Sequence, residues 1–301
     1  MVGSALLRAL TRDGYRNLIT VPRDKVDLRE RAAVRAVFEE TQPDVVLLAA
    51  ARVGGIQANR LYPAEFLYDN LLIQTNVIDE ARRAGTKELL FLGSSCVYPR
   101  ESPQPIREEY LLTGPLEPAN EGYALAKIAG LRMAQYYAKQ YGTRAICPMP
   151  TNLYGTNDNF HPEHSHVLSA LVRKFCDAVA EGKKSVTVWG TGSARREFLH
   201  VDDFAEAVLL LIEKWPSPDI INVGTGQDVT IRELAELIAT KSGFTGDIEW
   251  DTSMPDGMPR KLLDISKITA LGFRPRISLE QGVEQTIAEY RANEALRRLG
   301  A

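Results

Sequence analysis

Apolar positions along this chain alternate between two rhythms. Continuous apolar runs at residues 44–50, 88–93 and 144–148 read as strands buried on both faces, and 18–22 reads as a further strand. Between them, apolar residues recur at helical spacing over 1–10, 31–40, 64–84 and 120–141, the first of these stopping near Gly14 and the third following Tyr62-Pro63. Strands separated by helices of this length predict right-handed βαβ units, hence an α/β fold with a doubly wound parallel sheet.

Past residue 150 the rhythm loosens. Residues 151–166 are rich in Asn, Gly, Pro and His and predict an ordered loop. Helices are expected at 166–181, 202–214, 231–242 and 279–298, short strands at 185–189 and 220–224, and a Pro/Gly-rich loop at 254–259. The pattern divides the chain into residues 1–151 with about 198–224, and a smaller α+β C-terminal lobe from about 152–197 with 225–301.

A doubly wound nucleotide fold begins with a strand, a glycine-rich turn and a helix. Here Gly3 opens a helix with no strand before it, in the place of the last glycine of such a turn. The regular series that follows predicts that Met1 is an internal start, so that the sheet is N-terminally truncated. An apolar run ending in glycines is then expected in the upstream codons.

Composition narrows the class. The 301 residues are 45% hydrophobic and 25% charged, which suits a globular chain with a full core. A net charge of −3 argues against a nucleic-acid-coating surface. Cys96, Cys147 and Cys176 are too few for a disulfide framework, no apolar run reaches the roughly 18 residues of a membrane span, and no signal-peptide pattern opens the chain. Together these predict a cytoplasmic protein with no membrane or nucleic-acid partner.

The candidate chemistry centres on Tyr123 and Lys127. Four residues apart on a helix, they share one face with Cβ atoms about 5–6 Å apart. An ammonium beside a phenol favours the phenolate, so the Tyr123 pKa is expected to fall toward neutrality and let it exchange a proton at a carbonyl or alcohol oxygen. Ser94 lies in Gly93-Ser94-Ser95-Cys96-Val97-Tyr98, at the carboxyl end of a predicted strand, where open α/β sheets bind ligands. Ser94, Tyr123 and Lys127 thus form a candidate oxyanion-handling triad. Arg23 falls just past the predicted second strand, where an Arg accommodates a 2′-phosphate, favouring NADP over NAD. His161, His164 and His166 invite a metal reading, but no His-Glu-x-x-His helix is present, Pro162 interrupts the run and no cysteine is near in sequence. No metal is expected, with His161 structural and His164 exposed.

Gly93-Ser94-Ser95-Cys96-Val97-Tyr98-Pro99, Tyr123-Ala124-Leu125-Ala126-Lys127 and Pro150-Thr151-Asn152-Leu153-Tyr154-Gly155 resemble the extended short-chain dehydrogenase/reductases. Runs such as Ala49-Ala50-Ala51-Arg52-Val53-Gly54-Gly55-Ile56, Asp158-Asn159-Phe160-His161-Pro162, Ser165-His166-Val167, Arg196-Glu197-Phe198-Leu199-His200-Val201-Asp202-Asp203 and Pro255-Asp256-Gly257 narrow the resemblance to one branch. It covers all of the chain except the expected missing start.

That resemblance implies a Rossmann sheet, a substrate of GDP-4-keto-6-deoxy-D-mannose, epimerisation at C3 and C5, and reduction of the C4 carbonyl by NADPH. The residues make chemical sense of both halves. A C4 ketone acidifies the neighbouring C–H bonds, and inversion needs a base and an acid on opposite faces. Cys96 as a thiolate can be the base and His166 the acid. Ser94 and Tyr123 would hold the C4 oxygen, Tyr123 giving a proton in the reduction, and Lys127 would tune Tyr123 and bond the nicotinamide ribose. One oxyanion site then serves every step.

For the cofactor, the resemblance adds Gly3, Asp27 and Leu28 on the adenine side. It also adds Ala49, Ala50 and Ala51, then Leu92, Gly93 and Ser95, then Pro150, Thr151, Asn152 and Leu153, with His166 nearby. For GDP it implies Lys174, Trp189, Arg196 and Asp256, with Lys174 standing where the family often has a bidentate Arg. Helices 64–84 and 120–141 are expected to form a four-helix interface in a homodimer. The alternatives are another NAD(P)-dependent nucleotide-sugar epimerase or dehydratase, a non-catalytic dinucleotide sensor, and an inactive truncated homologue. A dehydratase would want an acid pair after the strand-end Ser, which Ser95-Cys96 does not supply, and a sensor has no need of Ser94, Tyr123 and Lys127 together.

Overall fold

Alternate residues of each apolar strand face opposite layers of helix, as a sheet buried on both sides requires. The computed structural model describes residues 1–162, 164–254 and 256–293. Its elements run α1 (Val2–Arg12), α2 (Arg31–Thr41), β1 (Val45–Leu48), α3 (Ile56–Leu61), α4 (Pro63–Arg83), β2 (Glu88–Phe91), α5 (Glu121–Tyr141), β3 (Arg144–Pro150) and β4 (Asn152–Tyr154). They continue as α6 (Val167–Glu181), β5 (Ser185–Trp189), β6 (Arg195–His200), α7 (Val201–Lys214), β7 (Ile220–Val223), β8 (Asp228–Thr230) and α8 (Ile231–Ser242). Last come β9 (Asp247–Asp251), β10 (Arg260–Lys261), α9 (Ser266–Ala270) and α10 (Leu279–Ala292).

The central sheet is parallel, in the order β1-β2-β3-β7. Leu89 and Phe91 pack with Cys147 and Met149 under α2, α4 and α5, through Val34, Phe38, Val77 and Leu131. Leu90, Ile146, Ile221 and Val223 pack on the other face with Ala5, Leu6 and Ala9 of α1 and Phe204, Val208 and Leu211 of α7. Arg8 pairs with Asp202 and Arg12 with Glu206, tying α1 to α7.

One expected strand does not form. Residues 18–22 have no strand hydrogen bonds and are largely exposed. No described strand lies beside them, and an extended segment without a ladder partner has nothing to satisfy its backbone but water. β1 is consequently the sheet's edge, with Val45 46% exposed.

The C-terminal part has its own core, in which Phe160, Phe175, Val186, Val188, Leu234, Ile238, Val283 and Tyr290 are buried together. β6 is its organising strand, carrying β4 and β10 in parallel and β8 antiparallel. β5 pairs in parallel with β9. Strands β4, β6, β8, β9 and β10 were not legible from periodicity, being short or rich in charge. Capping boxes at Thr230/Glu233 and Ser278/Gln281 start α8 and α10. The expected helix at 279–298 is described to Ala292, and its last residues, 294–298, lie outside the described residues, as does Pro255.

Helix α5 lies directly on β2. Gly130 permits this: a Cβ there would stand 2.3 Å from Phe91 Cζ and 2.6 Å from Gln74 Oε1. Gly130→Ala is expected to destabilise the protein by about 1–3 kcal/mol, through overpacking that outweighs alanine's better helix propensity. Urea unfolding monitored by circular dichroism measures it.

Candidate active site

β2 ends in a turn that presents two hydroxyls and a thiol. Gly93 donates its N–H to Pro148 O (2.9 Å), keeping the strand end paired, and a Cβ there would meet Met149 Sδ at 2.2 Å. Ser94, in extended conformation, then caps the 3₁₀ turn Ser95–Val97, its Oγ accepting from Cys96 N at 3.3 Å. The Tyr123 phenol lies near enough that the Ser94 hydroxyl and the Cys96 thiol both bear on its protonation. Ser94, Cys96 and Tyr123 line one cavity, and all three are half-buried.

Tyr123 and Lys127 reach this turn from the first two turns of α5. Gln74 of α4 donates to Ala126 O (2.6 Å), and the Tyr123 ring meets Phe66 edge-on at 6.4 Å. Lys127 is buried and donates to Leu92 O at 2.8 Å, with Phe91's ring centre 5.0 Å away.

The electrostatics correct one expectation. Lys127 lies 5.9 Å from the centre of the Tyr123 ring and spends its hydrogen bond on a carbonyl, not on the phenol. Burial therefore pushes the Tyr123 pKa well up, with Cys96 adding to the rise and Ser94 opposing it. Burial also pulls the Lys127 ammonium down to about 8. Tyr123 is accordingly a neutral phenol, a donor and not a phenolate base.

Cys96 goes the other way. Burial would raise its pKa, but Lys261, Ser94 and Arg196 bring it below the ordinary thiol value. Lys261 Nζ lies 3.4 Å from Cys96 Sγ. His166, the N-cap residue of α6, lines the same cavity, its outer edge open and its ring set among protein atoms. Burial lowers the His166 pKa, Lys261 lowers it further and Asp158 opposes both. Asp158 is itself buried, accepting from Ser169 Oγ and from Asn159 N (2.8 Å).

A cavity of about 500 Å³ joins these groups to the sheet edge. Every residue expected to hold cofactor lines it: Gly3, Arg23, Asp27, Leu28, Ala49, Ala50, Ala51, Leu92, Gly93, Ser94, Ser95, Tyr123, Lys127, Pro150, Thr151, Asn152, Leu153 and His166. Cys96 lines it too. At the Arg23 end, Arg29 chelates Asp27 and reaches Asp69 (3.2 Å), which also pairs with Arg52 (2.7 Å). His164, expected exposed, is half-buried on the same wall and stacks on His161 at 4.4 Å. Among the described residues, no group of three or more His, Cys, Asp and Glu is arranged to hold a metal.

Lys174, Trp189, Arg196 and Asp256 do not line this cavity; they gather beside it. Lys174 Nζ lies 5.4 Å from the Trp189 ring centre and donates to Thr187 O (3.0 Å). Arg196 donates to Asp256 O at 3.5 Å, and Asp256 accepts from Thr191 N and Oγ1, both at 2.8 Å. Trp189 is 52% exposed. The buried Glu197 fastens this side to the other: its carboxylate accepts from Thr225 N (2.6 Å), Gly226 N (2.7 Å) and Leu263 N (3.0 Å), and its carbonyl from Asn152 Nδ2 (2.8 Å).

Sequence reasoning missed Lys261, Asp158, Arg29, Arg52, Asp69 and Glu197 as members of the site. The first of these carries no local signal, since 165 residues separate Lys261 from Cys96. Arg52, Asp158 and Glu197 were visible only as parts of motif runs.

The sequence matches the model of the NAD dependent epimerase/dehydratase family over residues 1–224. It is 54% identical over 293 residues to GDP-L-fucose synthase 1 of Arabidopsis thaliana, covering 97% of this chain and 91% of that one. It is 48% identical over 303 residues to GDP-L-fucose synthase of Escherichia coli strain K12, covering 98% and 94%. The fold superposes on a crystal structure of a GDP-L-fucose synthetase from Naegleria fowleri bound to NADP, with a TM-score of 0.90, 27% identity and coverage of 98% and 92%.

The depressed Lys127 pKa has a consequence for stability. Between about pH 8 and about 10.4 the unfolded lysine is protonated while the folded one is not, so stability rises with pH through that window and is flat below it. The gain attributable to Lys127 is about 3 kcal/mol at most. Lys127→Met is expected to remove it, seen as a smaller pH-dependent difference in urea unfolding between pH 7.5 and 10.

Proposed function

Because the chain belongs to the NAD dependent epimerase/dehydratase family, and within it to the GDP-L-fucose synthases, we propose that it converts GDP-4-keto-6-deoxy-D-mannose to GDP-L-fucose. The reading is carried by one observation: Ser94, Cys96, Tyr123, Lys127 and His166 line a single cavity. NADPH supplies the hydride for the C4 reduction.

The residues present fit that cofactor. Lys127 has three N–H donors and gives one to Leu92 O, leaving others for ribose hydroxyls within the cavity. Ala49, Ala50 and Ala51 leave room for a close approach, and Pro150 to Leu153 line the same cavity. Arg23, exposed at the far end, is placed for a 2′-phosphate, with Asp27 and Leu28 beside it on the adenine side.

Chemistry at the sugar divides by environment. Cys96, as thiolate, takes the proton next to C4, and the electron pair moves onto the C4 oxygen. Ser94 and Tyr123 donate hydrogen bonds to that enolate, which is stabilised most by donors already in place. His166, as imidazolium, returns a proton from the opposite face. The Cys96 thiol then releases its proton to solvent and His166 takes one up, so that the sequence runs once at C3 and once at C5. In the reduction Tyr123 gives its phenolic proton to the same oxygen. Lys174 and Arg196 supply cations for the diphosphate, Trp189 a flat surface for guanine and Asp256 a hydrogen-bond acceptor.

The protein is proposed to work as a cytoplasmic homodimer. Its three cysteines are free, and no described helix is long and apolar enough to cross a membrane. Helices α4 and α5 lie side by side and expose Tyr68 (62%), Leu125 (44%) and Tyr136 (64%), an apolar face suited to a second copy. Tyr68→Glu with Tyr136→Glu is expected to halve the mass seen by light scattering; an unchanged mass places the interface elsewhere.

Incubation with GDP-4-keto-6-deoxy-D-mannose and NADPH in D₂O is expected to oxidise NADPH and give GDP-L-fucose carrying deuterium at C3 and C5. Cys96→Ser should slow deuterium uptake at least about a hundredfold with NADPH affinity nearly unchanged, and Tyr123→Phe should abolish reduction. No NADPH oxidation overturns the reading, and a reduced product without deuterium confines it to C4 reduction.

A further inference from the structure

The base of the epimerisation must be an anion in a largely desolvated pocket, and the group that balances its charge lies on the other side of the chain. Lys261 is 7% exposed, and among the described residues the polar contact of its ammonium is with the Cys96 sulfur, not with a carboxylate. A buried ammonium is costly without a counter-charge. The group within reach is Cys96 Sγ, at 3.4 Å.

The contact is held on both sides. Lys261 pairs with Arg196 in the β6–β10 ladder. The next two residues are fixed by side chains, Leu262 N donating to Gln104 Oε1 (2.9 Å) and Leu263 N to the buried Glu197 (3.0 Å). Lys261 thus comes to the sulfur on rigid backbone, not on a free loop. The other groups facing Cys96 are the hydroxyls of Ser94 and Tyr123 and the guanidinium of Arg196, which already donates to Arg195 O (2.8 Å) and Asp256 O.

We propose that Lys261 is a positioning residue for the epimerisation, pairing with Cys96 so that its sulfur stands as the thiolate that removes the substrate proton. The proposal rests on the reading of Cys96 as the base. In the step the carbon–hydrogen bond next to C4 breaks and its proton forms an S–H bond. The electron pair passes to the C4 oxygen, and Lys261 keeps its own protons. A thiolate beside a cation is the reactive form of cysteine.

The test reads the thiol itself, without substrate or cofactor. Alkylation of Cys96 by iodoacetamide is followed from pH 5 to 10 by mass spectrometry of its peptide, which separates it from the buried Cys147 and Cys176. The wild-type midpoint is expected below the roughly 8.5 of a free thiol. Lys261→Met should raise the midpoint by about one unit, lowering the thiolate fraction at pH 7 about tenfold, and Lys261→Arg should restore most of the wild-type profile. An unmoved midpoint in Lys261→Met overturns the proposal, as does equal loss in both variants. Should Lys261→Met fail to fold by circular dichroism, the wild-type profile decides: a midpoint at or above that of a free thiol overturns it. Failure of the underlying reading is separate, and would show as deuterium uptake at C3 and C5 that survives Cys96→Ser.

Discussion

The site depends on how closely α5 sits on β2. Gly130 lets the helix approach the ring of Phe91, and Lys127, one turn nearer the N-terminus, donates to Leu92 O at 2.8 Å. That bond ties the helix to the strand end from which Ser94 and Cys96 project. Loosening it would let Tyr123 drift from Ser94, and an oxyanion site displaced by even an ångström loses much of its effect. The buried ammonium is costly, which is why its pKa falls to about 8.

A second constraint comes from the C-terminal side. Glu197 gathers the N–H groups of Thr225, Gly226 and Leu263 around one buried carboxylate, and through Leu263 it fixes the strand that carries Lys261. Glu197's own strand, β6, pairs with the Lys261 strand, supplies Arg196 toward Asp256 and, through the Glu197 carbonyl, anchors Asn152 on the cavity wall. One strand therefore holds the cavity wall, the cation of the thiol pair and the neighbouring phosphate-binding candidates in a fixed relation.

Much of this was legible in the sequence because the information was local. The apolar runs that became β1, β2 and β3 alternate between two cores, and each residue expected to face cofactor lines one cavity. What was not legible depended on partners. Residues 18–22 have the composition of a strand but no neighbour to pair with, and strand formation needs a ladder. The Tyr123–Lys127 spacing was read correctly as a shared face, yet spacing does not say where an ammonium points, and Leu92 O competes successfully for it. Lys261 was invisible because its meaning lies in a sulfur far away in sequence.

The corrected electrostatics make better chemistry than the expected ones. Had Lys127 turned Tyr123 into a phenolate, two anions would share one pocket and neither could donate to a developing enolate. Instead burial keeps the phenol protonated, and cations placed on the opposite side draw the thiol toward its anion. Ser94, held by Cys96 N on the same cavity wall, can favour either only weakly. Two neighbours in one pocket thus take opposite protonation states because their charged surroundings differ, the general way in which one site holds an acid and a base at the same pH. In the proposed reaction, the proton Tyr123 keeps through both inversions is the one the reduction then requires.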